Sequence, residues 1–458
     1  RTKNFYSIFS TSFFMTEQNS SDYYTAAVVE FAPAYHWHDA VLTLRKNTNA
    51  YIEYIEKASK QGADIIVFPE DGLTSIHLPD KSQMNSWTTV IPSAVDEYIP
   101  CTGTDVNVSE VSTLLSCAAR ENRIYVVVNI AEKRLANHTD ARPSNETWHY
   151  HNTNVVFDRT GKIIARYNRR SFKYRIHHRL VLGNAIFNCL QSINQHFSFI
   201  TFLPAIQTQF GWSFAENVNL LVAGYHQPAI GSSGSGIYLG IARSYRFTIS
   251  YLAEVKQKSM NKEKKNQETA KNIARHETLC DKSIKKEVTP EWIKLLRDNI
   301  TSFESILFNN DSMTETVCHH NFCCDFKADV ETITNSSSIY YRAIVYNGVR
   351  LYGTQVEAGV RVCGLIQCLN ESIHSCGFVS RSDTIFSALS VTARFNDYTK
   401  MLIMPSVLDA SLIPFGQWSY VEHVRGNEMN LTMVLDEPIN NLITFGIYAR
   451  DFEKDKWN

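Results

Sequence analysis

The order of three segments near the start of the chain most constrains what it can fold into. Residues 24–31 (YTAAVVEF) form an apolar, strand-like run, and residues 65–68 (IIVF) form a second one that ends at Pro69-Glu70-Asp71. Between them, Val41, Leu42, Leu44, Tyr51, Ile52, Tyr54, Ile55 and Ala58 recur at helical spacing over residues 38–60. Continuous apolar runs are how strands buried on both faces read, and a helix between two of them implies a parallel crossover. The order then repeats. Residues 108–122 place Val111, Leu114, Leu115 and Ala118 on one helical face, and residues 124–130 (IYVVVNI) follow as a strand. Residues 150–159 and 161–167 read as a hairpin about Arg159-Thr160-Gly161, and residues 217–225 (NVNLLVAGY) as a further core strand. The expected class is α/β.

Beyond residue 250 the character changes. Residues 251–311 read as a charged linker, helical near residues 290–308, and the mixed Lys and Glu run between Val255 and Lys286 reads as a solvated face. From residue 312 the chain is rich in short strands, at residues 338–346, 356–366, 383–391 and 441–448. The expected organisation is an N-terminal segment at 1–23, an α/β domain at 24–250, the linker at 251–311 and a smaller, mainly β domain at 312–458. At 458 residues and 44% hydrophobic, the chain can bury at least one sizeable core.

The net charge of -1 leaves no electrostatic footprint for nucleic acid. No apolar stretch reaches the roughly 20 residues of a membrane helix, so no membrane span is expected. The apolar residues 5–14 fit a signal-peptide remnant, and the charged end at residues 451–456 lacks the tail that precedes a glycolipid anchor. Two signals point to a secreted protein. Glycan acceptor triplets occur at Asn19, Asn107, Asn137, Asn145, Asn299, Asn310, Asn335, Asn370 and Asn430. Cys318, Cys323, Cys324, Cys363, Cys368 and Cys376 cluster in the β region as a disulfide framework whose pairing the spacing leaves open.

Glu70 is the first candidate for chemistry. It stands just past the carboxyl end of a buried strand, where open α/β folds place ligands, and a carboxylate there can serve as general base. The alternative is a loop glutamate that caps a helix or pairs with a cation.

The segment Gly62-Ala63-Asp64-Ile65-Ile66-Val67-Phe68-Pro69-Glu70-Asp71 resembles the surroundings of the catalytic glutamate in nitrilase-type carbon–nitrogen hydrolases. Ile99-Pro100-Cys101, Leu115-Ser116-Cys117 with the strand after it, and the hairpin at 150–167 are similar to the vanin (pantetheinase) and biotinidase branch. So is the spacing of the six clustered cysteines. The resemblance implies an α-β-β-α sandwich, a disulfide-bonded C-terminal β domain and hydrolysis of linear amides of pantetheine or biotin-amide type without a cofactor. It also implies a Glu-Lys-Cys triad. The cysteine forms a thioester, the glutamate moves protons and the lysine steadies the oxyanion.

Glu70 matches the first role. At the lysine position the chain has Arg169, within Ala165-Arg166-Tyr167-Asn168-Arg169. Arginine keeps the charge but is planar and larger, so the exchange is not conservative. The nucleophile's strand is not found: residues 197–204 (FSFITFLP) carry Phe202 where the cysteine belongs, and Cys189 is a displaced candidate. The pattern then resumes near Gln207-Thr208-Gln209-Phe210-Gly211-Trp212, so a segment reads as deleted, with irregular structure expected between residues 170 and 215. Cys318-His319-His320 beside Cys323-Cys324 could suggest zinc, but the disulfide reading is preferred and no metal is expected. His36 and His38 read as capping or exposed residues, His177-His178 as surface, and the run at 231–236 (GSSGSG) as a flexible loop whose tail, Gly234-Ser235-Gly236-Ile237-Tyr238, resembles a family loop or is a plain turn. Three readings follow: an impaired amide hydrolase, with a homodimer left open; an inactive secreted glycoprotein; or a chain from an incomplete gene model.

Overall fold

The computed structural model describes residues 23–37, 39–105, 107–135, 147–169, 205–227, 234–242, 245–246, 250–256, 299–308, 311–332, 339–352 and 356–457. The first domain runs β1 (Tyr23–Val29), α1 (Ala40–Lys60), β2 (Ile65–Val67), α2 (Glu110–Asn122), β3 (Tyr125–Leu135), β4 (Trp148–Phe157), β5 (Ile163–Arg169), α3 (Ala205–Glu216), β6 (Asn219–Val222), β7 (Gly236–Leu239), β8 (Tyr245–Arg246) and β9 (Ser250–Lys256). Its main sheet has the order β5-β4-β3-β2-β1-β9. The strands β1, β2 and β3 are parallel, as the crossover order predicts, so their carboxyl ends share one edge. Asp39 caps α1 by accepting from the Leu42 N–H at 2.8 Å, and Ser109 caps α2 through the Ser112 N–H at 3.4 Å.

Alternation along the strands divides the core. One face of the sheet, with Ala27, Ile66, Val126, Val128 and Val155, packs against Tyr51, Ile55 and Ala58 of α1 and Leu115 and Ala119 of α2. The other face, with Ala26, Val28, Ile65, Val67, Val127 and Val156, meets Ile237 of a second sheet, β6-β7-β8, and Ala223 just past β6. Helix α3 packs on β6 and β7 from outside. The layers are therefore α-β-β-α, and the second sheet has three strands among the described residues. The unmatched stretch at 171–195 and the strand expected at 197–204 lie outside the described residues. Within the span expected to be irregular, residues 205–216 form α3.

The C-terminal domain contains β10 (Glu304–Phe308), β11 (Ser312–His319), β12 (Phe322–Thr332), β13 (Tyr340–Tyr352), β14 (Val356–Cys368), β15 (Thr384–Asn396), β16 (Met401–Asp409), β17 (Trp418–Arg425), β18 (Glu428–Leu435) and β19 (Leu442–Trp457). They form two five-stranded antiparallel sheets, β10-β13-β14-β19-β16 and β11-β12-β15-β18-β17. The six clustered cysteines pair as Cys318–Cys323 across the β11–β12 hairpin, Cys324–Cys363 between the two sheets, and Cys368–Cys376 after β14. A fourth bridge, Cys101–Cys117, fastens the loop before α2 to that helix.

Two expectations for residues 251–311 need correction. Ser250–Lys256 is not linker: it pairs antiparallel with β1 along its whole length. Residues 304–308 are not helical: they pair with β13, because the sequence ESILF presents an edge strand to an existing sheet whereas a helix there would leave that edge open. The domains also share a core. Phe210 and Phe214 of α3 make edge contacts with Trp418 at centroid distances of 6.1 and 5.1 Å, and Gln207 Nε2 donates to Ser406 Oγ at 2.7 Å.

Candidate active site

The chain leaves β2 through Phe68 and Pro69 and turns at Glu70-Asp71-Gly72. This turn is fixed from beneath and from the side. The ring of Tyr51 stacks on Phe68 at 3.9 Å, with its hydroxyl lodged against Gly72. The Asp71 N–H donates to Asn129 Oδ1 at 3.0 Å, which holds Asp71 at a φ of 54°, in the left-handed region.

Glu70 is buried, with 8% of its surface exposed. Its Oε1 accepts from Asn152 Nδ2 at 2.5 Å. The Asn129 amide donates in turn to Asn152 Oδ1 and, at 3.0 Å, to Asn154 Oδ1. Glu70 thus belongs to a network of amides supplied by β3 and β4. Asn152 and Asn154 share a face because they are two residues apart on a strand.

The register of β5 on β4 sets Arg169 opposite Asn152 and Arg166 opposite Val155. Position 169 therefore lies on the sheet face that carries Asn152 and Asn154, and position 166 on the opposite face. There the Arg166 guanidinium pairs with Glu132, which is fully buried and also accepts from Thr153 Oγ1 at 2.6 Å. Positions 166 and 169 thus face opposite sides of the sheet.

Tyr51 and Tyr225 complete the surroundings. Burial pushes both phenols well above their ordinary range, and the charge of Asp71 adds to each shift. Glu70 adds further to the shift of Tyr225. Burial therefore favours the neutral form of both hydroxyls. Tyr225 reaches this place because its backbone bridges Phe31, just past β1, with the Phe31 N–H donating to Gly224 O at 3.0 Å.

Sequence reasoning missed Asn129, Asn152, Asn154, Tyr51 and Tyr225. Period-two reading of residues 152–154 (NTN) would have placed the two asparagines on one face. No local signal marks Tyr225.

Other candidates fall elsewhere. The described cysteines are all in the four disulfides. Cys189 lies outside the described residues, as do His38, His177, His178 and the first half of the glycine-serine run. Of that run, Gly234 O accepts from Gln209 Nε2 at 3.2 Å, and the Ser235 hydroxyl accepts from the Gly224 N–H at 2.9 Å, so it supports the core of the first domain. Next to the Cys318–Cys323 bridge, His319 Nδ1 accepts from the Asn347 N–H at 3.1 Å. The three sulfurs a zinc ion would use are held in disulfides. Among the acceptor asparagines, Asn107, Asn299, Asn370 and Asn430 are exposed. Asn19, Asn137, Asn145, Asn310 and Asn335 lie outside the described residues.

An α-β-β-α sandwich with a buried glutamate at the carboxyl edge of its parallel strands is the arrangement of a carbon–nitrogen hydrolase domain. The carbon-nitrogen hydrolase family matches residues 25–183, and the Vanin C-terminal domain matches residues 293–455. These two matches and the curated relatives support the vanin branch of the nitrilase superfamily for this chain. It is 29% identical to Vanin-like protein 1 of Drosophila melanogaster, across 95% of this chain and 87% of that protein. It is 24% identical to the pantetheinase of Homo sapiens, across 97% of this chain and 92% of that protein. A solved amidase from Nesterenkonia sp. AN1 is 15% identical, covers 34% of this chain and 47% of its own, and superposes with a TM-score of 0.22.

Proposed function

We propose that this chain hydrolyses a linear amide of the pantetheine type outside the cell, and that its turnover is impaired. The observation that carries the reading is the buried Glu70 carboxylate, gripped by Asn152 with position 169 directly opposite that asparagine. In the chemistry such a site serves, Glu70 takes the proton of a thiol and the thiolate attacks the amide carbonyl. The cation at position 169 balances the oxyanion, and the amine leaves with the proton returned from Glu70. Water then gives a proton to Glu70 and releases the acid from the thioester.

Two features support impairment. Arginine stands in the lysine's place, and the nucleophile falls to Cys189, in a shortened segment. The alignment with Vanin-like protein 1 extends over 511 positions, but 95% of the 458 residues here is only about 435, so about 75 positions face no residue of this chain. The four disulfides, and the lack of any helix among the described residues long and apolar enough to cross a membrane, are consistent with an extracellular protein.

Protein recovered from culture medium and incubated with pantetheine tests the reading through the thiol-bearing amine it releases. Slow release is expected, lost in Glu70→Gln and in Cys189→Ala and raised in Arg169→Lys. Release that persists in Glu70→Gln sinks the mechanism. The second reading, an inactive secreted glycoprotein with a binding or structural role, is favoured by the engagement of every described cysteine in a disulfide. It predicts no release from any of these variants. Transcript sequence across residues 168–210 addresses the shortening, and a recovered segment bearing a Cys-x-Asp strand would make the full-length product an ordinary enzyme.

A further inference from the structure

A small set of aromatic rings stands on the loops after β1 and β2, the second of which carries Glu70, and is not used by the chemistry above. Tyr35 is its hub. Its ring meets Trp37 at 5.9 Å, His77 at 5.3 Å and Trp87 at 6.1 Å. Trp87 is 4% exposed and anchors the set in the core, whereas Trp37 is 73% exposed. Val41, 72% exposed on the first turn of α1, extends the apolar surface beyond Trp37.

These rings are tied to the Glu70 turn through one buried side chain. Asn47 of α1 is 1% exposed. Its Oδ1 accepts from the Ala34 N–H at 2.8 Å, and its amide donates to Ala34 O and to Leu73 O, each at 2.9 Å. The loop after β1 is thereby clasped to the loop after β2. Trp37 lies three residues from Ala34, and Glu70 three residues from Leu73, so each stands within about 11 Å of the clasp. The His36 N–H donates to Thr43 Oγ1 at 3.0 Å, which pins the loop beside Trp37. The ledge is thus held in place rather than trailing in solvent.

We propose that Tyr35, Trp37 and His77 form a subsite for the non-reacting end of the substrate, and that this end is flat or apolar and carries no negative charge. The proposal rests on the amide-hydrolase reading of Glu70. With its carbonyl at Glu70, an amide substrate extends across the loops that Asn47 joins, and an exposed indole offers a face that buries apolar area on contact. None of the four ring-bearing residues is a lysine or arginine, so an anionic end would lose water there without gaining a countercharge.

The test measures binding, independently of turnover. N-benzylacetamide and N-(2-hydroxyethyl)acetamide are titrated into the full chain, with tryptophan fluorescence and calorimetry as readouts. The benzyl amide is expected to bind about fivefold to tenfold more tightly, as one added aromatic contact implies, and to perturb the fluorescence. Trp37→Ala is expected to abolish the preference, and Glu70→Gln to retain it. Equal affinities, or a preference that survives in Trp37→Ala, overturn the subsite. A Trp37→Ala change in sedimentation without a change in binding overturns it too, since the ledge is then a contact between copies of the chain. A preference without turnover leaves the subsite standing while the hydrolase reading fails. Turnover without a preference does the reverse.

Discussion

The hydroxyl of Tyr51 occupies the place where a Cβ on residue 72 would stand. The ring cannot swing away, because it stacks on Phe68 and meets Phe31 edge-on at 5.2 Å. Gly72→Ala is therefore expected to displace the turn that carries Glu70, at a cost of about 1–3 kcal/mol, seen as a lower Tm. The double variant Tyr51→Phe with Gly72→Ala should recover part of that loss. Loss of stability in the double variant equal to that of Gly72→Ala alone would show that the clash lies elsewhere.

Arg166, with Arg134 at 3.4 Å, makes Glu132 tolerable in the interior. Arg166→Met removes the closer and more buried of the two cations, and the expected destabilisation is at most about 3–5 kcal/mol. Replacing both residues by apolar ones of similar volume should cost much less. Denaturant unfolding of the three variants checks the difference. A small effect in Arg166→Met would mean that Glu132 is served by its other contacts.

The bridges of the C-terminal domain should differ in worth by the loops they close. Cys324–Cys363 spans 39 residues and Cys318–Cys323 spans five. Chain entropy alone assigns about 4 kcal/mol to the first and about 2 kcal/mol to the second. Paired Cys→Ala variants followed by thermal unfolding should give the larger loss for the bridge between the sheets. The reverse order would point to strain or to residual structure in the unfolded chain.

Burial raises the pKa of Asp409 from its ordinary value, against the lowering effect of the N–H groups of Ile413 and Ser411. The folded state thus favours the protonated acid. Its contribution is complete below the unfolded carboxyl's pKa and is lost as pH rises through the raised folded value. Asp409→Asn keeps an oxygen that can accept both N–H groups and removes the charge. It is expected to raise Tm at neutral pH, with the gain shrinking as the pH falls through the raised folded value and absent below about 4. A gain constant with pH would contradict this cause.

The periodic parts of the fold were legible, and the reasons for the exceptions are physical. The apolar runs at 24–31, 65–68 and 124–130 had to be covered on both faces, so β1, β2 and β3 could be read with their parallel order. Glu70 could be read for the same reason, as the first polar group past a buried strand. Residues 304–308 were misread because an edge strand carries little periodicity of its own and takes its conformation from the neighbour it pairs with, β13. Asn129 and Asn152 were passed over because an amide looks unremarkable until a second strand supplies its partner. Cys101–Cys117 escaped because its members sit apart from the main cysteine cluster, although a separation of 16 residues across a helix start is easily closed.

Helix α3 has a further implication for how the chain behaves under stress. Its outward side would be the soluble surface of a sandwich standing alone, yet Phe210 and Phe214 are embedded beside Trp418 of the other domain. Melting either half strips the other of interior contacts. The boundary that sequence families draw near residue 293 is thus a border of ancestry rather than of cohesion. Calorimetry should register one endotherm, and a protease that nicks the intervening segment should leave the two fragments associated.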